Sequence, residues 1–290
     1  MINYNTKDWF GLIFKFHKSD TLRKLVPGIT ILSVYTGIIA FIEIRYTGFF
    51  FTSSSAIHSI LGFVLSMLLV FRTNTAYDRW YEGRKAWGSM VNSSRNLALK
   101  INALLPADAP ERYSIYILVS NYVLALKNHL RDVFDARDFL PFENTTEEEL
   151  SGKAHKPNYI ASLLVKKVYE LRNNNKISAE QFLVLNEELR AFTDSCGVCE
   201  RIKKTPIPYS YSLFLKKFIF IYIMTMPFGF VDDFGYGTVL LIAFVFYVLV
   251  SLELIAEEIE DPFGADTNDL PTEQICSNIR RNIKDILEVD

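Results

Sequence analysis

The chain has 290 residues, half of them apolar and 14% aromatic, with a formal net charge of −2. So much apolar surface beside 22% charged residues excludes both an ordinary soluble domain and a chain held wholly in lipid, which leaves a protein part in a membrane and part in the cytosol. The near-neutral balance gives no basis for nucleic-acid binding, and three unevenly spaced cysteines make no disulfide framework.

The first residues lack the basic-then-apolar pattern of a cleaved signal peptide. Residues 25–42 are uncharged and read as a first membrane span, with Pro27 near the start, where proline is tolerated. Residues 55–71 read as a second span. This one runs without a proline or turn cluster into a charged, aromatic stretch from Arg72 to Trp87. A single helix is therefore expected to leave the bilayer and continue into water until Pro106. Residues 110–133 predict a second cytosolic helix. It is apolar enough to mimic a span, but Asn121, Lys127, Asn128 and His129 argue for a buried helix.

Residues 141–156 read as a solvated loop, and 158–173 and 178–193 as two shorter helices. Residues 218–231 and 234–252 read as third and fourth spans paired through the tight connection at Asp232 to Gly235. A last helix is expected over 272–287. Lys7, Lys15, Lys18, Arg23 and Lys24 precede the first span, while the loops between spans one and two and between three and four are nearly free of basic residues. The positive-inside rule then places both termini and the long middle segment in the cytosol. The expected organisation is a cytosolic arm with the first two spans in 1–72, a cytosolic helical domain in 73–211, the last two spans in 212–255 and a C-terminal cytosolic segment in 256–290.

Three runs carry a resemblance. They are Phe71-Arg72 with Tyr77, Arg79-Trp80, Glu82, Arg84 and Trp87-Gly88; Cys199-Glu200-Arg201 followed by Thr205 to Tyr209; and Glu257-Glu258 followed by Glu260-Asp261-Pro262-Phe263-Gly264. With their order along the chain, they resemble the bestrophin family, in its prokaryotic branch. The resemblance implies an all-α fold: a homopentamer around one central pore, four spans per subunit, a large helical cytosolic portion and a bacterial inner-membrane location. It also implies a passive ion channel rather than an enzyme, with no cofactor.

Carried over by position, the resemblance makes Phe63, Met67 and Phe71 the narrow neck of the pore. Their spacing of four puts them on one helical face, and a ring of such side chains can gate by dewetting. The other reading of that face is packing against a neighbouring helix. Glu180 matches a cytosolic aperture, where a carboxylate ring would favour cations. Ser178 and Gln181 also make a capping box around it, which gives an acid in the first turn a structural role. Animal and plant relatives largely conduct anions, whereas the prokaryotic branch is associated with monovalent cations. Glu180 tips the expectation toward sodium, with a chloride channel of the same fold, or a membrane-bound enzyme or scaffold, as the alternatives.

Asp266 and Asp269 stand where animal relatives hold calcium, without the dense aspartate cluster, and are weak candidates for that ion. Something basic is expected near the acidic run at the end of the fourth span, with Arg72, Arg79 and Arg84 as candidates. Cys196 and Cys199 read as buried thiols, and His17, His129 and His155 as scattered. His58, inside the second span near its outer end, is the one histidine with two readings, facing a pore or packing near the interface.

Overall fold

The computed structural model describes residues 20–46, 55–141 and 146–289. The basic residues Lys7, Lys15 and Lys18 and the histidine His17 lie outside the described residues. Among those described, all regular structure is helical: α1 (Asp20–Arg45), α2 (Ser55–Leu104), α3 (Pro110–Leu130), α4 (Glu147–Gly152), α5 (Lys156–Asn173), α6 (Ala179–Lys204), α7 (Tyr209–Thr225), α8 (Pro227–Phe234), α9 (Thr238–Glu260) and α10 (Thr272–Leu287). Single 3-10 turns occupy Ala136–Asp138 and Gly235–Gly237. The chain divides into two compact units, one from residues 80–205 with 261–289, the other from the described residues up to 79 with 206–260.

The second unit holds the apolar helices. Three helical stretches are long and apolar enough to cross a membrane, residues 21–45, 56–104 and 209–260. The last folds back on itself. Lys216 of α7 pairs with Glu257 of α9 at 2.8 Å, and Thr238 Oγ1, at the other end of α9, donates to the Phe230 carbonyl at 3.0 Å. These contacts make α7 and α9 antiparallel legs, so the apolar legs number four. Pro227 breaks the helix, because it lacks an N–H and its ring clashes with the preceding turn. Gly235 then reverses the chain at φ +52°, a left-handed angle that only glycine adopts without strain.

On α1 the buried positions Leu25, Leu32, Thr36, Ala40 and Glu43 recur at helical spacing and form one face. The helix begins at Asp20, so Pro27 lies two turns inside it rather than at its entrance. In the first part of α2, Leu65, Leu69, Arg72 and Ala76 are buried at spacings of three and four. Leu65 and Leu69 join Leu215, Ile219, Ile223 and Ile242 in this unit's core. Tyr211 Oη donates to the Leu68 carbonyl at 3.0 Å and fixes α7 against α2.

The first unit is built around α3. Most of its residues are buried, as expected of a helix apolar all round. Three of its polar side chains are met by neighbouring segments. Asn121 pairs with both the N–H and the C=O of Leu140 at 2.8 Å, Lys127 donates to Glu273 at 3.0 Å, and His129 meets Glu200 at 2.6 Å. Trp87, Met90, Leu97 and Ile101 from the later part of α2 join the same core, as do Ile279, Ile283 and Leu287 from one face of α10.

Two expected boundaries differ. The loop expected over 141–156 holds the short α4, started by Thr146 Oγ1 accepting from the Glu149 N–H at 3.2 Å. Helix α6 runs on to Lys204 instead of stopping at Thr193, because Phe192, Cys196, Cys199 and Ile202 continue its buried face.

Candidate functional site

On α2 the side opposite Leu65, Leu69 and Arg72 points outward. Phe63, Met67 and Phe71 are 72%, 45% and 56% exposed, respectively, and Val70 beside them is also exposed. Three large apolar side chains one turn apart thus form an outward stripe that no helix of their own unit covers. His58 does not share this stripe. It is buried, with Nε2 3.3 Å from Thr225 Oγ1 and its ring near Tyr222 and Phe230, so of its two readings packing holds and pore-facing does not.

Immediately after Phe71, Arg72 turns to the buried side. Its Nη2 lies 2.7 Å from Glu260 Oε2 and its Nε 3.4 Å from Glu253 Oε2. Glu260 also accepts from the Ile207 N–H at 2.7 Å, and its carbonyl accepts from Arg79 Nε at 3.0 Å. Lys24 holds Glu258 at 3.1 Å and Lys216 holds Glu257. The acidic end of α9, which the helix dipole alone would disfavour, is therefore met by Arg72, Arg79, Lys24 and Lys216. The lysine contacts had no signal beyond sign of charge, because they lie more than 40 residues away in sequence.

In the other unit, Glu180 sits exposed in the first turn of α6. The capping box forms: Ser178 Oγ accepts from the Gln181 N–H at 3.2 Å, and Gln181 Oε1 accepts from the Ser178 N–H at 2.8 Å. The Glu180 carboxylate accepts from Ser178 Oγ at 2.7 Å. That bond, the residue's own N–H and the charge of Arg172 hold it below the usual glutamate range. Its surroundings include Arg172 and Lys176, so the carboxylate does not stand in a purely acidic patch.

Asp269 is buried and accepts from the Asp266 N–H at 2.6 Å, while Asp266 is exposed. One carboxylate closes its own loop and the other faces outward. Cys196 and Cys199 are free and buried, with thiols pushed up by burial to about 11 and about 12.

A cluster the sequence did not reveal joins three helices. His129 of α3 and His155, which begins α5, both place Nε2 on Glu200 Oε1 of α6, at 2.6 and 2.8 Å. It is the only convergent group of three such ligand types among the described residues. Yet His155 Nδ1 accepts from the Asn158 N–H at 3.1 Å and so caps α5. That fixes the proton on Nε2, the tautomer that donates to Glu200 and does not ligate a metal there. The cluster is a hydrogen-bonded clamp. Burial alone would raise Glu200, but the two histidine bonds and Lys204 outweigh it and hold the carboxyl below its usual range.

Comparison with known proteins gives a consistent result. The family model described as Bacterial/Fungal Bestrophin protein matches residues 1–285. A protein of Nostoc sp. named as a voltage-dependent anion channel-forming protein is 33% identical, over 97% of this chain and 92% of its own. YneE of Escherichia coli, which carries the same description, is 30% identical over 96% of this chain and 91% of its own. A crystal structure of a bacterial bestrophin homologue from Klebsiella pneumoniae matches with a TM-score of 0.83 at 30% identity, covering 91% of this chain and 99% of that one.

Proposed function

We propose that this chain, which belongs to the bacterial and fungal bestrophin family and is a membrane ion channel, conducts anions. The observation that carries the reading is the shared description of its relatives, which span nearly their whole length with it and are named for anion channels. The expected preference for sodium is withdrawn. It rested on the association of the prokaryotic branch with monovalent cations and on Glu180, whose carboxylate is engaged by Ser178 and faced by Arg172.

In this reading the subunits assemble as a homopentamer in the inner membrane, with both termini in the cytosol and residues 73–211 forming a cytosolic vestibule. Phe63, Met67 and Phe71 line the neck. Their outward exposure on α2 leaves them free to line it, since no helix of their own unit covers them. An apolar ring opposes wetting and so gates. The edges of phenyl rings carry the positive end of the aromatic quadrupole, which suits an anion better than a cation. Glu180 remains the aperture residue in this proposal, as a rim charge and not as a selectivity filter.

Reversal potentials in planar bilayers under asymmetric sodium chloride test the reading. The native channel is expected to reverse toward the chloride equilibrium potential, with the same sign in Glu180→Ala. Reversal near the sodium potential, moving toward zero in Glu180→Ala, would overturn it and restore the carboxylate ring.

A further inference from the structure

The carboxyl end of α3 turns back on itself. The Val133 N–H donates to the Asn128 carbonyl at 3.0 Å and the Asp132 N–H to the His129 carbonyl at 3.4 Å, with Asp132 at a left-handed φ of +53°. This turn and the start of α5 border a cavity of about 240 Å³ within the first unit. The backbone of the turn is satisfied, but two side chains in the wall are not.

Asn128 is 4% exposed, lines the cavity, and its amide takes no hydrogen bond among the described residues. The amide atoms are not sealed from solvent, so a small molecule in the cavity reaches them. A buried amide in that state calls for a partner. Lys156, the first residue of α5, donates once, to the Lys153 carbonyl at 3.2 Å, and holds its ammonium 4.4 Å from the centre of the Phe134 ring. Among the described residues no carboxylate pairs with it.

The charges around the cavity leave one positive charge in excess. Asp132 is the one carboxylate in the wall; it is 81% exposed and held by Lys203 at 2.5 Å. Glu200 is screened by His129, whose Nε2 it engages, and has Lys204 at 3.7 Å. Lys156 is the cation left over. The rest of the wall, Val133, Phe134 and Ala154, is apolar.

We propose that this cavity binds a short-chain monocarboxylate, with its oxygens on the Lys156 ammonium and the Asn128 amide N–H and its alkyl chain against Phe134 and Val133. A single excess charge selects a monoanion, because a second carboxylate would stand beside Asp132. Two donors suit two oxygens, and a halide would leave the apolar wall unused. The volume falls below the roughly 300–1,000 Å³ of sites for drug-sized ligands, which limits the chain to a few carbons. Such a ligand ties the end of α3 to the start of α5, the two segments that Glu200 already joins through His129 and His155. The inference is independent of the ion that the channel conducts.

Isothermal titration calorimetry of the full-length channel in detergent tests it, with sodium butyrate, its uncharged isostere butyramide and the dianion succinate as probes. Butyrate is expected to bind at least about tenfold tighter than either, the scale of one charge-assisted hydrogen bond. Lys156→Met keeps a side chain on Phe134 but removes the charge, and should weaken butyrate about tenfold. Asn128→Asp sets a carboxylate against the ligand and should abolish binding. No binding to the native channel, butyramide bound as tightly as butyrate, or an affinity unchanged in Lys156→Met overturns the proposal.

Discussion

Replacing Arg72 with methionine isolates the electrostatics one residue beyond the proposed neck. The side chain is 1% exposed, and methionine fills most of its volume, so packing changes little. What is lost is the 2.7 Å pair with Glu260 and the 3.4 Å pair with Glu253. The buried Glu253 and the half-buried Glu260 then face one backbone N–H, that of Ile207. Breaking a buried pair from one side costs about 3–5 kcal/mol, because the partner charge stays behind. For a chain of this size that corresponds to a fall in Tm on the order of 10 °C. The triple variant Arg72→Met, Glu253→Gln, Glu260→Gln removes the stranded charges and should regain most of the loss. Thermal unfolding of the purified channel in one detergent measures both. The reasoning fails if Arg72→Met melts within a degree or two of the native protein, or if the triple variant is no more stable than the single one.

Tyr122→Phe removes the bond from a fully buried hydroxyl to the Phe192 carbonyl at 2.7 Å and should destabilise by about 1–2 kcal/mol in the same assay, with no loss of aromatic packing. Glu200 has a folded-state pKa below its unfolded value, so its stabilising contribution is present above the unfolded value, near 4.5, and drains away as pH falls through the folded one. Acid titration followed by circular dichroism should show Glu200→Gln less stable than native at neutral pH, with the gap closing in acid; a gap independent of pH would contradict this. Met67→Ser shortens and wets the neck and should raise unitary current several-fold, read in single-channel recordings; an unchanged current would place Met67 outside the neck.

The helices were legible where one force dominated. The passage of α2 through Phe71 and Arg72 followed from the absence of a breaker, and its end from Pro106. The burial of α3 followed from polar residues that a lipid-facing helix could not carry. Other features depended on packing that no local pattern records. Helix α6 outran its expected end because Cys196 and Cys199 stay in the buried stripe despite weak helix propensity and an intervening glycine. His129 and His155 meet on Glu200 only because three helices converge, and residues 26 and 45 positions apart share no periodicity. His58 left two readings open because an ionisable residue in a span can face a pore or pack, and here a threonine hydroxyl and two rings absorb it.

The uninterrupted course of α2 over 50 residues also fixes the phase of everything on it. Each residue advances the helix by about 100°, so a single insertion between Phe71 and Trp87 would swing the later side chains a quarter turn or more relative to the earlier ones. Phe63, Met67 and Phe71 could then keep their outward heading only if Trp87, Met90, Leu97 and Ile101 lost their place in the core, or the reverse. A seven-residue insertion would come back to within about 20° of the original heading. Insertions of about seven or eleven residues, near two and three whole turns, keep that heading, and other short insertions must fall elsewhere in the chain.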